Sequence, residues 1–197
     1  MQIDFEIKKF FKGDVLSDEK TLTEYSRDAS LFYITPQVVV FPKDADDIKN
    51  LISFVVKNKS SNPGLSLTAR AAGTDMSGGP LSESIIIEFS KYFNHIKEVG
   101  SNFAVAELGV YYRDFYKETL KKNLYLPSFP ASRGLCALGG MIANNSGGEQ
   151  SLQYGKTKDY VEYLKVILSN SNEYIFQKIN KSELDKKIAR ADFEGEI

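Results

Sequence analysis

Two glycine-rich stretches carry the residue types with the clearest chemical potential. The first is 68–80, read TARAAGTDMSGGP, where Gly73, Gly78 and Gly79 stand among small and hydroxyl-bearing residues. Glycine reaches positive φ and has no side chain in the way. A loop of this kind can therefore turn successive backbone N–H groups toward one point and hold an anion there. A phosphate or pyrophosphate is the usual occupant of such a nest; a flexible surface loop is the other reading. The second stretch is 130–148, read PASRGLCALGGMIANNSGG. Gly139 and Gly140 would let backbone approach a large flat ligand, and Asn144, Asn145 and Ser146 supply short donors and acceptors at its edge. As a purely structural element this composition is expensive, because each glycine loses conformational entropy on ordering.

The surroundings of the first loop exclude the two commoner phosphate loops. No Gly-Lys-Ser/Thr follows, so it is not a Walker loop. A dinucleotide turn of the Rossmann type should open a helix, whereas this loop runs into the apolar run 84–89, SIIIEF. Two separated small-residue loops suit a long ligand with a phosphate middle and an aromatic end, and a dinucleotide is the natural candidate.

The elements that must position these loops follow from periodicity and punctuation. Residues 36–42 read as a strand bracketed by Pro36 and Pro42. Residues 44–58 read as a helix, with Ala45, Ile48, Leu51, Ile52, Val55 and Val56 on one face and Asp44, Asp46 and Asp47 in its first turn. Strands at 65–70 and 84–89 flank the nest, and strand–helix–strand at this spacing implies a parallel crossover. Before them, Ile3, Ile7 and Phe10–Phe11 mark a short helix, and 22–32 reads as loop with a helical turn. After residue 90 the pattern changes to hairpins at 95–108 and 161–177, with helices at 110–122 and 181–190 and a short helix or turn at 138–145. The expected fold class is α+β, with a small parallel βαβ lobe followed by a larger antiparallel sheet lobe and flanking helices. The expected divisions are an N-terminal helical extension at 1–35, the small lobe at 36–90 and the larger lobe at 91–197.

Composition narrows the function classes. The 197 residues are 42% hydrophobic and 26% charged with a net charge of −1, as in an ordinary globular protein without the basic field that nucleic acid or an anionic membrane would require. Cys136 is the only cysteine, so no internal disulfide forms and a reducing cytoplasm is the expected compartment. The N-terminus lacks an apolar signal core, and the longest apolar runs are too short to span a bilayer. No His/Cys/Asp/Glu set has metal-ligand spacing. His95, the only histidine, reads as a strand-edge residue, and Arg133 reads either as a partner for a phosphate or carboxylate or as a solvated loop arginine.

The stretch 70–79, RAAGTDMSGG, resembles the pyrophosphate loop of the FAD-binding domain shared by vanillyl-alcohol oxidase and p-cresol methylhydroxylase. The second motif, Pro130-Ala-Ser132 with 138–148, LGGMIANNSGG, and Tyr154-Gly155, is similar to the branch that contains D-lactate dehydrogenase and glycolate oxidase. The runs 96–99, 105–110 and 124–127 stand where that family places its strands, so the resemblance covers 37–177. It implies an FAD-binding domain of the type 2 fold. Ala72, Gly73, Thr74, Asp75, Met76, Ser77 and Gly78 would hold the pyrophosphate. Pro130, Ala131, Ser132, Gly139 and Gly140 would line the flavin or ribityl side, with Asn144, Ser146 and Gly148 completing that wall. Tyr154 would pack on the flavin or in a core.

The chain also departs from the family pattern. Ala71 and Ala72 stand where many relatives carry glycine. Thr74 stands where relatives with covalent flavin carry histidine, which implies non-covalent FAD. Cys136 lacks the spacing of a cysteinyl-flavin attachment and reads as a small buried filler.

The implied function is oxidation of a 2-hydroxy acid such as D-lactate or glycolate, by hydride transfer to the flavin and reoxidation by a separate acceptor. Such enzymes continue into a substrate-binding domain. This chain is therefore expected to be part of a longer enzyme and inactive alone, and no catalytic residue is named within it. The alternatives are an enolpyruvyl-nucleotide-sugar reductase-like flavoprotein, which the 144–148 motif disfavours, and a non-catalytic nucleotide-binding or docking module.

Overall fold

Strands β2 (Val38–Phe41) and β4 (Ile85–Glu88) are buried at every residue, which is the signature of parallel strands covered on both faces. The computed structural model, which describes residues 2–197, places them side by side in a four-stranded sheet of order β1-β2-β4-β3. Strand β3 (Leu67–Arg70) pairs in parallel with β4, Leu67 opposite Ile85 and Arg70 opposite Glu88, while Val38 of β2 faces Ile85 from the other side. Helix α3 (Ala45–Asn58) makes the crossover. Its Leu51 is fully buried, and Ile48 and Val55 pack with it on Val38, Val40, Ile85 and Ile87. Val39, Phe41 and Ile86 point the other way and are covered by Leu22 and Tyr25.

The elements between Ile3 and Tyr25 add to this layer. Ile3 and Ile7 of α1 (Ile3–Lys8), with Phe11 and Val15, enter the same core as Leu51. A short strand, β1 (Asp14–Leu16), extends the sheet antiparallel to β2. Helix α2 (Glu19–Tyr25) starts where Asp18 accepts the Thr21 N–H at 3.0 Å. Sequence reading assigned 22–32 a loop with a helical turn, and it gave no strand at 14–16. Three residues are too few to show alternation, and α2 buries no residue completely, so its periodicity is faint.

Asp47 explains how β1 is held. Its fully buried carboxylate accepts the N–H groups of Lys12 at 2.8 Å, Gly13 at 3.1 Å and Lys43 at 2.9 Å. A Cβ on Gly13 would lie 1.9 Å from the Phe41 carbonyl oxygen, so only glycine permits this approach. Asp44 caps the helix by accepting the Asp47 N–H at 3.0 Å. The reading of these aspartates as a helix start therefore holds for Asp44, while Asp47 is in addition the anchor of the N-terminal segment.

The second half gathers around Val110, Tyr112, Phe115, Phe129, Cys136, Leu138 and Met141. Cys136 is buried there, as the filler reading expects. The antiparallel pairing expected for this half occurs as two separate two-stranded ribbons. These are β5 (Ile96–Val99) with β6 (Ala104–Ala106), and β7 (Tyr163–Ile167) with β8 (Glu173–Gln177). Between them lie α4 (Tyr112–Leu120), α5 (Leu138–Ala143), α6 (Ser151–Tyr154) and a 3-10 turn at Thr157–Tyr160. Helices α7 (Lys181–Ile188) and α8 (Phe193–Glu196) close the chain. Among the described residues no helix is long and apolar enough to cross a membrane.

Replacing Asp47 by alanine leaves three backbone donors without their acceptor, each worth about 1–3 kcal/mol where water is excluded. Asp47→Ala is expected to lower the urea-unfolding free energy by about 3 kcal/mol, whereas Asp46→Ala, at an exposed position of the same turn, changes it by less than about 0.5 kcal/mol. Equal effects of the two substitutions would reduce Asp47 to an ordinary helix-start acid.

Candidate functional site

The nest leaves the carboxyl end of β3, the end at which ligands of parallel sheets bind. Gly73 (φ 64°) and Gly78 (φ 85°) take the left-handed conformation expected of a nest. The loop has two unlike halves. In its second half the Asp75 carboxylate accepts the Ser77 N–H at 2.9 Å, the Ser77 hydroxyl at 2.8 Å and the Gly79 N–H at 2.8 Å. The Gly79 N–H, with the Ser77 hydroxyl next, holds the Asp75 carboxyl below the ordinary carboxylate range. The amides of Ser77 and Gly79 thus already serve an anion built into the chain. In the first half the N–H groups of Ala72, Gly73 and Thr74 have no protein acceptor among the described residues. Met76 lies at the exposed tip, 81% accessible.

Ala72, Gly73 and Thr74 form one wall of a cleft of about 390 Å³. The opposite walls come from Arg27, Asp28 and Ala29, and from Tyr111, Arg113 and Leu135, with Arg70 at the base of the loop. Three arginines and one aspartate therefore line the cleft, a surplus of positive charge suited to a dianionic group. Arg70 lies 5.0 Å from the Tyr25 ring and donates to the Tyr25 carbonyl at 3.4 Å. Burial pulls its pKa down, and the negative charges of Asp28 and Glu88 oppose that pull. Arg113 stacks on Tyr111 at 4.4 Å and donates to the Gly134 carbonyl at 2.8 Å, so α4 carries part of the second motif.

That motif is held against the segment after β6. Leu138 N–H donates to Val110 O at 2.9 Å, and Gly139 N–H donates to Leu108 O at 2.7 Å. Its glycines divide by cause. A Cβ on Gly139 would meet Leu108 O at 2.8 Å, and one on Gly148 would meet Phe129 O at 2.1 Å, so the fold itself requires both. A Cβ on Gly140 would meet nothing within 4 Å. The reason for glycine there lies outside the packing of the chain.

The remaining residues singled out from sequence divide between structural and exposed positions. Ser146 is buried and pins the 3-10 turn, its carbonyl accepting the Thr157 N–H at 3.0 Å and hydroxyl at 2.7 Å. Asn144 caps α5 and is exposed. Asn145 (φ 45°) accepts the Lys158 N–H at 3.0 Å. Ser132 O receives the N–H groups of Leu135 and Cys136. Pro130 and Ala131 line a separate cavity of about 210 Å³ with Phe129, Arg133 and Glu149. Arg133 pairs with Glu149 at 3.6 Å, both of them exposed, and its guanidinium lies 4.7 Å from the ring of the buried Phe129. Tyr154 is partly exposed and accepts the Tyr160 hydroxyl on its carbonyl at 2.6 Å. The first loop and Leu135 of the second motif thus share one cleft, and Pro130 and Ala131 face another. Sequence reading missed Arg27, Asp28, Tyr111 and Arg113, which reach the cleft from distant elements; the charged pair at 27–28 within a polar stretch was the only local signal.

Residues 36–174 match the family described as FAD binding domain. The chain belongs to this family. As an FAD-binding domain it is 27% identical to the D-2-hydroxyglutarate dehydrogenase of Pseudomonas putida across 95% of its own length and 19% of that protein. It is 31% identical to glycolate oxidase subunit GlcD of Bacillus subtilis across 75% of its length and 31% of that protein. Among solved structures, 6-hydroxy-D-nicotine oxidase of Arthrobacter nicotinovorans superposes with a TM-score of 0.73 at 17% identity, covering 88% of this chain and 38% of that one. The BBE-like 1 protein of Physcomitrella patens superposes with a TM-score of 0.75 at 13% identity, covering 92% of this chain and 39% of that one. The domain therefore spans about a third or less of the length of these curated relatives. Its residues suit FAD on their own chemistry: unpaired amides at 72–74, a cationic cleft, and a glycine at 140 that no internal contact demands.

Two glycine substitutions separate the fold from the site. Gly140→Val is expected to leave the far-UV spectrum and the melting temperature unchanged or slightly raised, since valine suits a helix better than glycine by a few tenths of a kcal/mol, and to abolish flavin retention. Gly73→Val forces valine to positive φ at about 1–2 kcal/mol, displaces Arg70 and also releases flavin. Flavin-to-protein absorbance ratios after FAD saturation and desalting measure both; full occupancy in either variant removes that loop from the site.

Proposed function

We propose that this FAD-binding domain serves a flavin-dependent oxidoreductase that oxidises a small 2-hydroxy acid, such as D-lactate, glycolate or D-2-hydroxyglutarate. The observation that carries the reading is the cleft that Ala72, Gly73 and Thr74, with unpaired amides, line together with Arg27, Arg70 and Arg113. The names of the curated relatives supply the substrate class.

When bound, FAD supplies the redox chemistry, accepting a hydride from the substrate carbon. The chain binds and orients it. The amides at 72–74 receive pyrophosphate oxygens, each charge-assisted bond contributing on the order of 1.5–3 kcal/mol. The three arginines offset the charge, and Asp75 stiffens 77–79 so that Ser77 and Gly78 keep the loop open. Gly140 leaves room for the ribityl or flavin portion, with Pro130, Ala131, Ser132, Gly139, Asn144, Ser146 and Gly148 framing that side. Thr74 offers no histidine for covalent attachment, so the flavin is held non-covalently. The two lobes of the domain meet near Ser90. The acid–base groups for substrate belong to other parts of the enzyme, and a separate acceptor reoxidises the flavin. The single buried cysteine supports a cytoplasmic setting.

The test has two stages. After FAD saturation and desalting, the protein is expected to be yellow and to release all of its flavin to the supernatant on acid precipitation; a colourless protein would sink the cofactor reading. In the complete enzyme, anaerobic D-lactate, glycolate or D-2-hydroxyglutarate is expected to bleach the flavin band, and a flavin that none of them reduces would exclude the substrate class.

A further inference from the structure

The segment between α2 and β2 is a strap that borders the nest. Its ends are tied where the Ile34 N–H donates to Ser26 O at 3.0 Å, and Ser26 is fully buried with its hydroxyl on Thr23 O at 2.7 Å. The Phe32 ring lies against Gly78, 2.8 Å from where a Cβ would stand, so the strap is packed on the loop itself. Arg27, just past the tied end, lines the cleft with Ala72, Gly73 and Thr74, and its guanidinium lies 4.9 Å from the Tyr33 ring.

The five arginines of the chain differ in what balances them. Arg133 pairs with Glu149, and Arg190 with Asp192. In the cleft, Arg113 lies 3.7 Å from Asp114 and donates to the Gly134 carbonyl. Arg70 donates to the Tyr25 carbonyl and feels the negative charges of Asp28 and Glu88. Arg27 is the exception. Among the described residues its guanidinium forms no ion pair and donates no hydrogen bond, and the charge of its neighbour Asp28 acts on Arg70. Water alone can satisfy an exposed arginine. This one, however, shares its cleft with three backbone N–H groups that also lack a protein acceptor. Main-chain and guanidinium donors left open in one cleft have a common complement, an oxyanion with several acceptor positions. The Tyr33 ring restricts the guanidinium beforehand, which lowers the ordering cost of such a contact.

We propose that Arg27 binds a phosphate oxygen of the ligand held by the amides of residues 72–74, and that Tyr33 is the residue that positions it. The strap is then a second phosphate-binding element, and it precedes the family match at 36–174. That the phosphate belongs to FAD rests on the reading above; the contact can be tested apart from it, because inorganic pyrophosphate carries the same group.

Titration calorimetry of the full chain with inorganic pyrophosphate, ADP and FAD is the test, on the wild type, Arg27→Met, Arg27→Lys, Tyr33→Leu and the double variant. Arg27→Met is expected to weaken all three ligands about tenfold, the loss of one charge-assisted contact. Arg27→Lys keeps the charge and recovers part of that loss. Tyr33→Leu weakens the ligands about threefold in the wild type and costs nothing further in Arg27→Met, as a residue acting through Arg27 must. Unchanged affinities in Arg27→Met overturn the contact, and so does a loss for FAD without one for pyrophosphate. An equal loss from Tyr33→Leu in both backgrounds overturns its positioning role. A wild-type chain that binds pyrophosphate but no FAD overturns the cofactor reading, while a pyrophosphate loss in Arg27→Met still supports the contact. A chain that binds neither overturns both.

Discussion

Strand β4 has parallel partners on both sides, so Ile85, Ile86 and Ile87 are fixed by hydrogen bonds within the sheet and by side chains above and below it. Everything that faces the cleft is measured from this strand. Its pairing with β3 sets where the chain leaves Arg70 and turns into the glycine loop. Its exit leads through Phe89 to the second half, where the Gly109 N–H returns to Phe93 O at 2.8 Å. A parallel strand buried on both faces cannot slip by one residue without moving an isoleucine across the sheet. The loop that follows β3 can therefore be soft in composition and still start from a rigid point.

Within that frame the cleft is a contest among charges. Asp75 spends its carboxylate inside the loop and quiets the amides that would otherwise seek an anion. Arg70 is half-buried and leans on the Tyr25 ring and carbonyl, which fixes its position at the loop base. Arg27 and Arg113 approach from opposite sides, each steadied by an aromatic ring. Guanidinium groups stacked this way lose little further freedom on meeting a phosphate. Ordinary packing thus already fixes the positions of the arginines that line the cleft.

Both glycine loops, the helix over Ala45–Asn58 and the hairpins were legible in the sequence, because each rests on local chemistry: positive φ, helical periodicity, turn residues. Gly140 could be singled out as a ligand contact from composition, but separating it from Gly139 and Gly148 required the neighbours that only the fold supplies. Strand β1 was invisible because three residues show no period. Asp47 looked like any helix-start acid, since its three acceptor contacts come from residues 12, 13 and 43. Arg27, Asp28 and Arg113 escaped for the same reason. Their meaning lies in a cleft assembled from three distant segments, and no spacing within any one of them announces it.

The strap from Ser26 to Ile34 precedes the region that matches the family, which begins at residue 36. So does β1, with the glycine that fits under Phe41 and the turn that Asp47 holds. A domain boundary drawn at the family match alone would cut off one wall of the cleft and an edge of the sheet together. In this chain the portion that matches the family carries both glycine loops, and the segment in front of it supplies Arg27, Asp28 and Ala29 to the cleft they border.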